Sequence, residues 1–226
     1  MKKKIILLFF LFLFCLAGNA QRLDRFAMSR FAAGGESGVA YPLQKNFFGK
    51  LPTDTIPSYT RGDTTFYFVY VWLPEPVREL GVQLISPVPE FASAAKGDYE
   101  TEDYHDSLKA AGKYFDPQLL VERVLNINFP EEIFVKGNKA AWRLLGRNDN
   151  SAEAPAHPSL KKNNSLFRTG ITEKDTSPVP AGLYCITIAA AENKKPEGTF
   201  VLQVGGTEQI PGLKIFRRAD ELSEGY

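Results

Sequence analysis

Residues 65–87, TFYFVYVWLPEPVRELGVQLISP, decide the fold. From Phe66 up to Trp72 every residue is aromatic or β-branched, and such side chains pack well on a pleated sheet. Because neither alternate face of the run is polar, we predict a strand that is covered on both sides, as in a sandwich. The two prolines that follow end its hydrogen-bond ladder, since proline has no N–H to donate, and residues 82–86 are predicted to return as a second strand.

Further strands are predicted along the rest of the chain. The candidates are residues 119–129, 140–145, 165–171, 183–191 and 199–204, and the last two are predicted to form a hairpin through turn residues at 192–198. Short helical segments are predicted at residues 77–80, 107–111 and 130–135, the second with Asp106 as its cap. Tyr184, which follows Pro180, is predicted to pin the corner of a sandwich strand.

The chain begins with a predicted export signal over residues 1–20. Three lysines precede an apolar run, residues 5–17, which is too short to span a membrane, and Ala20 completes a small-residue cleavage site. Because Phe14 rather than a small residue precedes Cys15, we expect cleavage before Gln21 and no lipid anchor. The remainder, residues 21–226, is predicted to be a single domain that starts with an irregular N-terminal arm over residues 21–49.

Composition argues against several classes of function. Without the three leader lysines the formal charge falls from +1 to −2, which argues against nucleic acid as a partner. The sequence holds none of the usual nucleophile, zinc or phosphate-binding motifs. His105 and His157 are interpreted as solvated surface residues, and Cys185, in the middle of a predicted strand, as an inert filler. We therefore expect no catalytic residues, and the acidic run over residues 98–106 is interpreted as a solvated loop.

The deciding stretch resembles the major outer-membrane surface lipoprotein family of Leptospira. The similar blocks keep the order and approximate gaps of that family over residues 46–222, and the resemblance implies a jelly-roll β-sandwich with short peripheral helices. The blocks are Tyr70-Val71-Trp72, Leu73-Pro74, Leu80-Gly81-Val82, Ile85-Ser86-Pro87, Phe115-Asp116, Val121-Glu122-Arg123, Asn164-Ser165-Leu166, Gly182-Leu183-Tyr184, Gly198-Thr199-Phe200-Val201 and Ile210-Pro211-Gly212.

The same resemblance implies a calcium site. In the family, a Phe-Asp pair, a later acidic run and a carbonyl just before Asn-Ser-Leu share one ion. Carried onto this sequence, the ligands are Asp116, Pro117 through its carbonyl, Asp149, Asn150 and the carbonyl of Asn163. Since the acidic run is reduced here to one aspartate between two asparagines, the expected site is weak, and the alternative is that residues 148–151 simply form a turn.

The resemblance implies an exported, non-enzymatic binding protein, located in the periplasm, at the outer-membrane surface or outside the cell. Family members bind calcium and are linked with extracellular-matrix proteins such as collagen, laminin and fibronectin, so a protein or glycan partner at the cell surface is expected. The alternative is a carbohydrate-recognition module or a hydrolase on the same sandwich, because a fold alone does not decide function. An exposed Trp72 or Trp142 beside exposed tyrosines would favour sugar binding, and we expect both tryptophans in the core.

Overall fold

Strands in two sheets are the main secondary structure of the described residues. The computed structural model describes residues 25–32, 35–88, 92–107, 113–136, 139–148, 164–168, 177–191 and 195–222. In these ranges helices are few and short: α1 is Glu102–Ser107, α2 is Glu132–Lys136, and a 3-10 helix covers Ala219–Leu222. The predicted all-β sandwich is confirmed, whereas the jelly-roll connection of its strands stays a prediction.

The first sheet has β11 at its centre. Its order is β1-β2-β11-β5-β9, with the short β6 pairing in parallel with β2. The pairs along this order are antiparallel. The strands are β1 Arg25–Ala32, β2 Gly35–Leu51, β5 Gly81–Ile85, β6 Tyr99–Glu100, β9 Asn164–Arg168 and β11 Gly198–Gly205.

The second sheet has β10 at its centre. Its order is β12-β4-β10-β7-β8, and β3 also pairs with β4. All of these pairs are antiparallel. The strands are β3 Ser58–Arg61, β4 Thr64–Leu73, β7 Pro117–Val124, β8 Trp142–Asn148, β10 Gly182–Ala190 and β12 Lys214–Phe216.

The main core lies between the sheets. It is formed by every second residue of the paired strands, because successive side chains of a strand point to opposite faces of the sheet. On β4 these residues are Tyr67, Val69, Val71 and Leu73, and they pack with partners that include Phe47, Leu84, Tyr184, Ile186, Phe200 and Leu202.

Smaller apolar clusters cover part of each outer face. On the second sheet Trp72, which is only 4% exposed, packs with Val124 and Leu183 beneath Ile133 of α2 and Leu222 of the 3-10 helix. On the outer face of the first sheet, the buried cluster consists of Phe48, Ile85, Val201 and Tyr104 of α1. Burial on both faces explains why β4 is apolar on both faces near its end.

Tyr184 fixes the entry of β10. Its hydroxyl donates a hydrogen bond to the carbonyl of Pro180 at 2.5 Å, while its ring lies in the main core. The hydroxyl thus ties the strand to the loop four residues upstream, as in the tyrosine corner of β-sandwiches. This sequence prediction is confirmed.

Two sequence predictions of strand arrangement are wrong. The N-terminal arm predicted to be irregular over residues 21–49 instead contains β1 and most of β2. The predicted hairpin of residues 183–191 and 199–204 does not form, because β10 pairs in the second sheet and β11 pairs in the first. Local composition shows that a segment is extended, but the distant partner decides which sheet it joins.

Two helical predictions also need correction. Residues 77–80 hold no helical turn, since Val77 forms a bridge to Val179 with backbone hydrogen bonds of 2.9 and 2.7 Å. Of the helix predicted at residues 107–111, only Ser107 lies within the described residues, where it is the last residue of α1, Glu102–Ser107.

Candidate metal centre

Asp116, the first predicted calcium ligand, lies at one end of the sandwich. It immediately precedes β7, and its backbone carbonyl accepts a hydrogen bond of 2.8 Å from the N–H of Ala191. The next residue, Pro117, is buried and pairs with Ala190 at the end of β10. The backbone of Asp116 is therefore fixed by the end of the central strand of the second sheet, whereas Asp116 as a whole is exposed to solvent.

A second set of bonds joins this segment to the first sheet. The N–H of Phe115 donates to Ser86 Oγ at 3.2 Å, and that hydroxyl donates in turn to the carbonyl of Thr199 at 2.8 Å. The ring of Phe115 is buried and meets the ring of Phe200 edge to face, with centroids 6.5 Å apart. The loop before β7 is thus held between the ends of both sheets.

Gly198 lets the chain pass close to this loop. Its φ is +135°, and a Cβ at that position would lie 2.2 Å from the carbonyl oxygen of Lys113. Only glycine adopts this backbone without strain and allows such an approach. Lys113 also forms an ion pair with Glu197, so the beginning of β11 is fastened to the loop that carries Asp116.

Chain segments that flank the remaining predicted ligands reach the same end. Asp149, Asn150 and Asn163 lie outside the described residues. The last residue of β8, Asn148, pairs with Leu119, three residues after Asp116. The first residue of β9, Asn164, pairs with Ile85, the neighbour of the Ser86 that binds Phe115.

The described residues fit a calcium ligand set only in part. An exposed aspartate on a fixed backbone is a suitable hard oxygen ligand, and the further predicted donors are all oxygen atoms, which calcium prefers. Within the described ranges no three His, Cys, Asp or Glu side chains group in a way that could hold a metal ion.

The acidic segment at residues 98–106 has a structural role that the sequence did not reveal. Asp98 accepts hydrogen bonds from the backbone N–H and the side-chain amide of Asn46, at 3.0 and 2.8 Å, and from the N–H of Ala95 at 2.8 Å. Asn46 is buried on the outer face of β2, where Gln203 Nε2 also donates to its side-chain oxygen at 3.3 Å. Asp98 therefore anchors the loop that crosses this face, and the interpretation of a freely solvated run is wrong for this residue.

The described residues offer weak candidates for catalysis. His105 is exposed, and its Nε2 lies 3.5 Å from a carboxylate oxygen of Glu100, while His157 lies outside the described residues. Cys185 is buried, and burial, aided by the nearby Glu122 carboxylate, raises the pKa of its thiol. A thiol that stays protonated in the middle of a sheet is not a nucleophile, as the sequence analysis expected.

The two tryptophans differ in environment. Trp72 is in the core as expected, but Trp142 is 43% exposed on β8, the last strand in the described order of the second sheet, so the expectation for Trp142 is wrong. The exposed Tyr59 lies on β3, beyond β4 at the other side of the second sheet, and the exposed Tyr114 lies beside Asp116. Trp142 is therefore not joined to these tyrosines in a sugar-binding platform.

The fold defines a protein built on a two-sheet β-sandwich, and the sequence predicts an export signal before it. A sequence model of the Lipl32 family, described as surface lipoproteins of the Spirochaetales order, matches residues 36–215. The chain belongs to this family, and with it to the exported proteins of the outer-membrane surface. No curated protein matches the chain. Among the described helices none is long and apolar enough to cross a membrane.

Proposed function

We propose that this chain is a non-enzymatic binding protein of the cell surface that holds one calcium ion weakly at the Asp116 end of the sandwich. The ligands are the side chains of Asp116, Asp149 and Asn150 and the carbonyls of Pro117 and Asn163. The ion ties together three loops that are far apart in sequence. A protein of the extracellular matrix, or a glycan, is the partner expected at a surface organised in this way.

The observation that carries the proposal is the convergence of the flanking segments. Asp116 is hydrogen-bonded to Ala191, and Phe115 is hydrogen-bonded to Ser86. The neighbour of Ser86, Ile85, pairs with the first residue of β9. Pairing of β7 with β8 brings Asn148, the neighbour of Asp149, beside the beginning of β7. These contacts support a common location for the three loops that carry the proposed ligands, which are the loop before β7, the loop after β8 and the loop before β9.

The donor set supports a low affinity. Two carboxylates and one amide carry less charge than a typical high-affinity calcium loop, and extracellular calcium modules with few charged ligands bind in the range of about 0.1–1 mM. Calcium that binds only the folded state stabilises it by RT ln(1 + [L]/Kd). At tenfold excess over Kd this is about 1.4 kcal/mol, or a rise in melting temperature of about 3–6 °C for a domain of this size.

The test is a thermal-unfolding titration of the exported protein with calcium after treatment with a chelator. Little change is expected at micromolar calcium and a clear rise at several millimolar. Asp116→Ala should abolish the rise, because it removes a charged ligand on a fixed backbone. Asn150→Asp should enlarge it by adding a carboxylate.

Glu75→Ala is the matched control, since Glu75 is an exposed carboxylate just after the end of β4. Its titration should follow that of the unmodified protein. A calcium response that survives Asp116→Ala, or that Glu75→Ala removes equally, would mean that the ion binds elsewhere and that the proposed site is wrong.

A further inference from the structure

The hairpin of β3 and β4 carries an Arg-Gly-Asp tripeptide at its tip. Arg61, the last residue of β3, pairs with Thr64, the first residue of β4, so that Gly62 and Asp63 alone form the loop between them. All four residues of β3 are exposed, and so are both residues of the loop. The tripeptide of residues 61–63 is therefore presented to solvent at the end of a two-stranded ribbon.

The turn at the tip explains only part of this tripeptide. A two-residue hairpin loop favours a primed turn, in which the first central residue has a positive φ, and Gly62 has a φ of +61°. The surroundings of Gly62 are open, since a Cβ there would meet no atom within 4 Å. Turn geometry thus accounts for Gly62 and suits Asp63, but it places no demand on the residue before them, which is Arg61.

The ribbon that presents the tripeptide is anchored in the sandwich. Thr60 and Thr65 lie opposite each other on the two strands, and their hydroxyls share a hydrogen bond of 3.1 Å. At the base of the ribbon, Ile56 and Tyr67 are both buried in the main core. The tripeptide is thus held on a short, braced hairpin instead of a long loop, which reduces the conformational entropy that is lost when a partner binds.

Both charged groups of the tripeptide are open to a partner. Arg61 and Asp63 are exposed, and within the described part of the chain no hydrogen bond or ion pair involves either side chain. Gly62, which separates them, has no side chain that would keep a partner away. A guanidinium can form two parallel hydrogen bonds with a carboxylate, and a carboxylate oxygen is a ligand that Mg²⁺ and Ca²⁺ prefer.

We propose that residues 61–63 are a docking site for a cation-dependent adhesion receptor of animal cells. The receptor supplies an acidic cleft that takes the guanidinium of Arg61. It also supplies a divalent cation with an open coordination position, which takes the carboxylate of Asp63. The family places the chain among the exported proteins of the outer-membrane surface, where a receptor of another cell can reach the hairpin.

The pair of opposite charges favours such a receptor over a surface of one charge. An anionic bilayer or a nucleic acid would attract Arg61 but repel Asp63. A pocket that fits one of these charges alone would leave the other desolvated and unpaired in the interface, which opposes binding. A partner that satisfies both carries an anionic cleft and a cation side by side, and integrins that recognise Arg-Gly-Asp peptides have this pair of groups.

The hairpin tip is distinct from the proposed calcium site, although both lie at the same end of the second sheet. The strands β4 and β7 flank β10 and are both antiparallel to it, so they begin at the same end. Asp63 lies just before β4, whereas Asp116 lies just before β7. The docking of a receptor therefore uses its own cation and does not depend on calcium at Asp116.

The test is binding of the immobilised exported protein to a panel of soluble integrin ectodomains that recognise Arg-Gly-Asp peptides, in buffer with magnesium. We expect saturable binding that a short Arg-Gly-Asp peptide displaces and the matching Arg-Gly-Glu peptide does not. Arg61→Ala and Asp63→Ala should each weaken binding about thirtyfold or more, since each leaves a desolvated charge of the receptor unpaired. Absence of binding by the unmodified protein, or binding that the Arg-Gly-Asp peptide does not displace, would overturn the proposal.

Matched variants separate the tripeptide from net charge and from the calcium site. Arg61→Asp combined with Asp63→Arg keeps the net charge and the glycine but reverses the order of the charges, and it should abolish binding. Asp54→Ala removes another exposed aspartate, in the loop before β3, and should bind as the unmodified protein does, as should Asp116→Ala. Binding that survives the exchange of charges, or that either control loses equally, would show that the hairpin is not the docking site. Peptide displacement from the unmodified protein decides the question even if a variant fails to fold.

Discussion

Replacing Trp72 by alanine should strongly destabilise the protein. The side chain lies on the outer face of the second sheet, not in the main core. It is 4% exposed and packs in a cluster with Val124, Leu183, Phe216 and Leu222. The substitution therefore removes an aromatic ring from beneath α2 and the 3-10 helix, and it leaves a cavity between these elements and the sheet.

The expected magnitude follows from the buried area. A buried tryptophan removes about 200 Å² from water, and at about 25 cal/mol per Å² this is worth about 5 kcal/mol. Aromatic-to-alanine changes in cores cost about 3–5 kcal/mol in practice. The melting temperature should fall by about 6–20 °C, since each kcal/mol shifts it by about 2–4 °C in a domain of this size.

Trp142→Ala is the matched control for this prediction. It removes the same side chain from the same sheet, but Trp142 is 43% exposed and leaves no enclosed cavity, so only about 120 Å² returns to water and the expected loss is at most about 3 kcal/mol. Urea unfolding followed by circular dichroism gives both free energies. If Trp72→Ala costs no more than Trp142→Ala, the outer cluster contributes little and the reasoning is refuted.

Three further predictions concern single residues. Tyr184→Phe should cost about 1 kcal/mol by removing the bond to Pro180. Burial raises the pKa of Tyr184 to about 12 from 10.0, so its protonated hydroxyl stabilises the fold below pH 10. That stabilisation is lost towards pH 12, and melting temperatures should fall less steeply there in Tyr184→Phe. Cys185 should resist alkylation in the native protein and react after unfolding, because burial raises its thiol pKa; native labelling would contradict this. Mass analysis of the exported protein should show Gln21 at the N-terminus, and a lipid on Cys15 would refute that expectation.

Elements governed by local chemistry could be predicted from the sequence. The run from Phe66 to Leu73 is strand β4, and Gly182 with Tyr184 marks the entry of β10, because side-chain type and turn residues act within a few positions. The resemblance to a known family was also sufficient to identify the family itself. For the proposed calcium site, the resemblance to the family indicated Asp116 and Pro117, but the sequence could not show that hydrogen bonds to Ala191 and Ser86 fix the loop that carries them.

Predictions failed where a distant partner decides the outcome. Residues 35–51 contain glycines and polar residues, which are not typical of a strand. Their later part nevertheless forms a strand, because it pairs with β11, the central strand of the first sheet. The exposure of Trp142 could not be predicted either. The residue pattern of β8 does not indicate where the strand lies in its sheet, and β8 is the last strand in the described order. Asp98 looked like one of five solvated carboxylates until its partner Asn46, 52 residues away, was known.

The positions of β10 and β11 have a consequence for biogenesis. Both central strands come from residues 182–205, which follow nearly all of their partner strands in the sequence, and they enter different sheets one after the other. Until they leave the ribosome, β4 lacks its partner β10 and β2 lacks its partner β11, and neither sheet can close over the core. Strand pairs of such long sequence separation also form slowly. A nascent polypeptide is therefore expected to remain unfolded until residues 182–205 have been made, and an unfolded chain is the form that suits export.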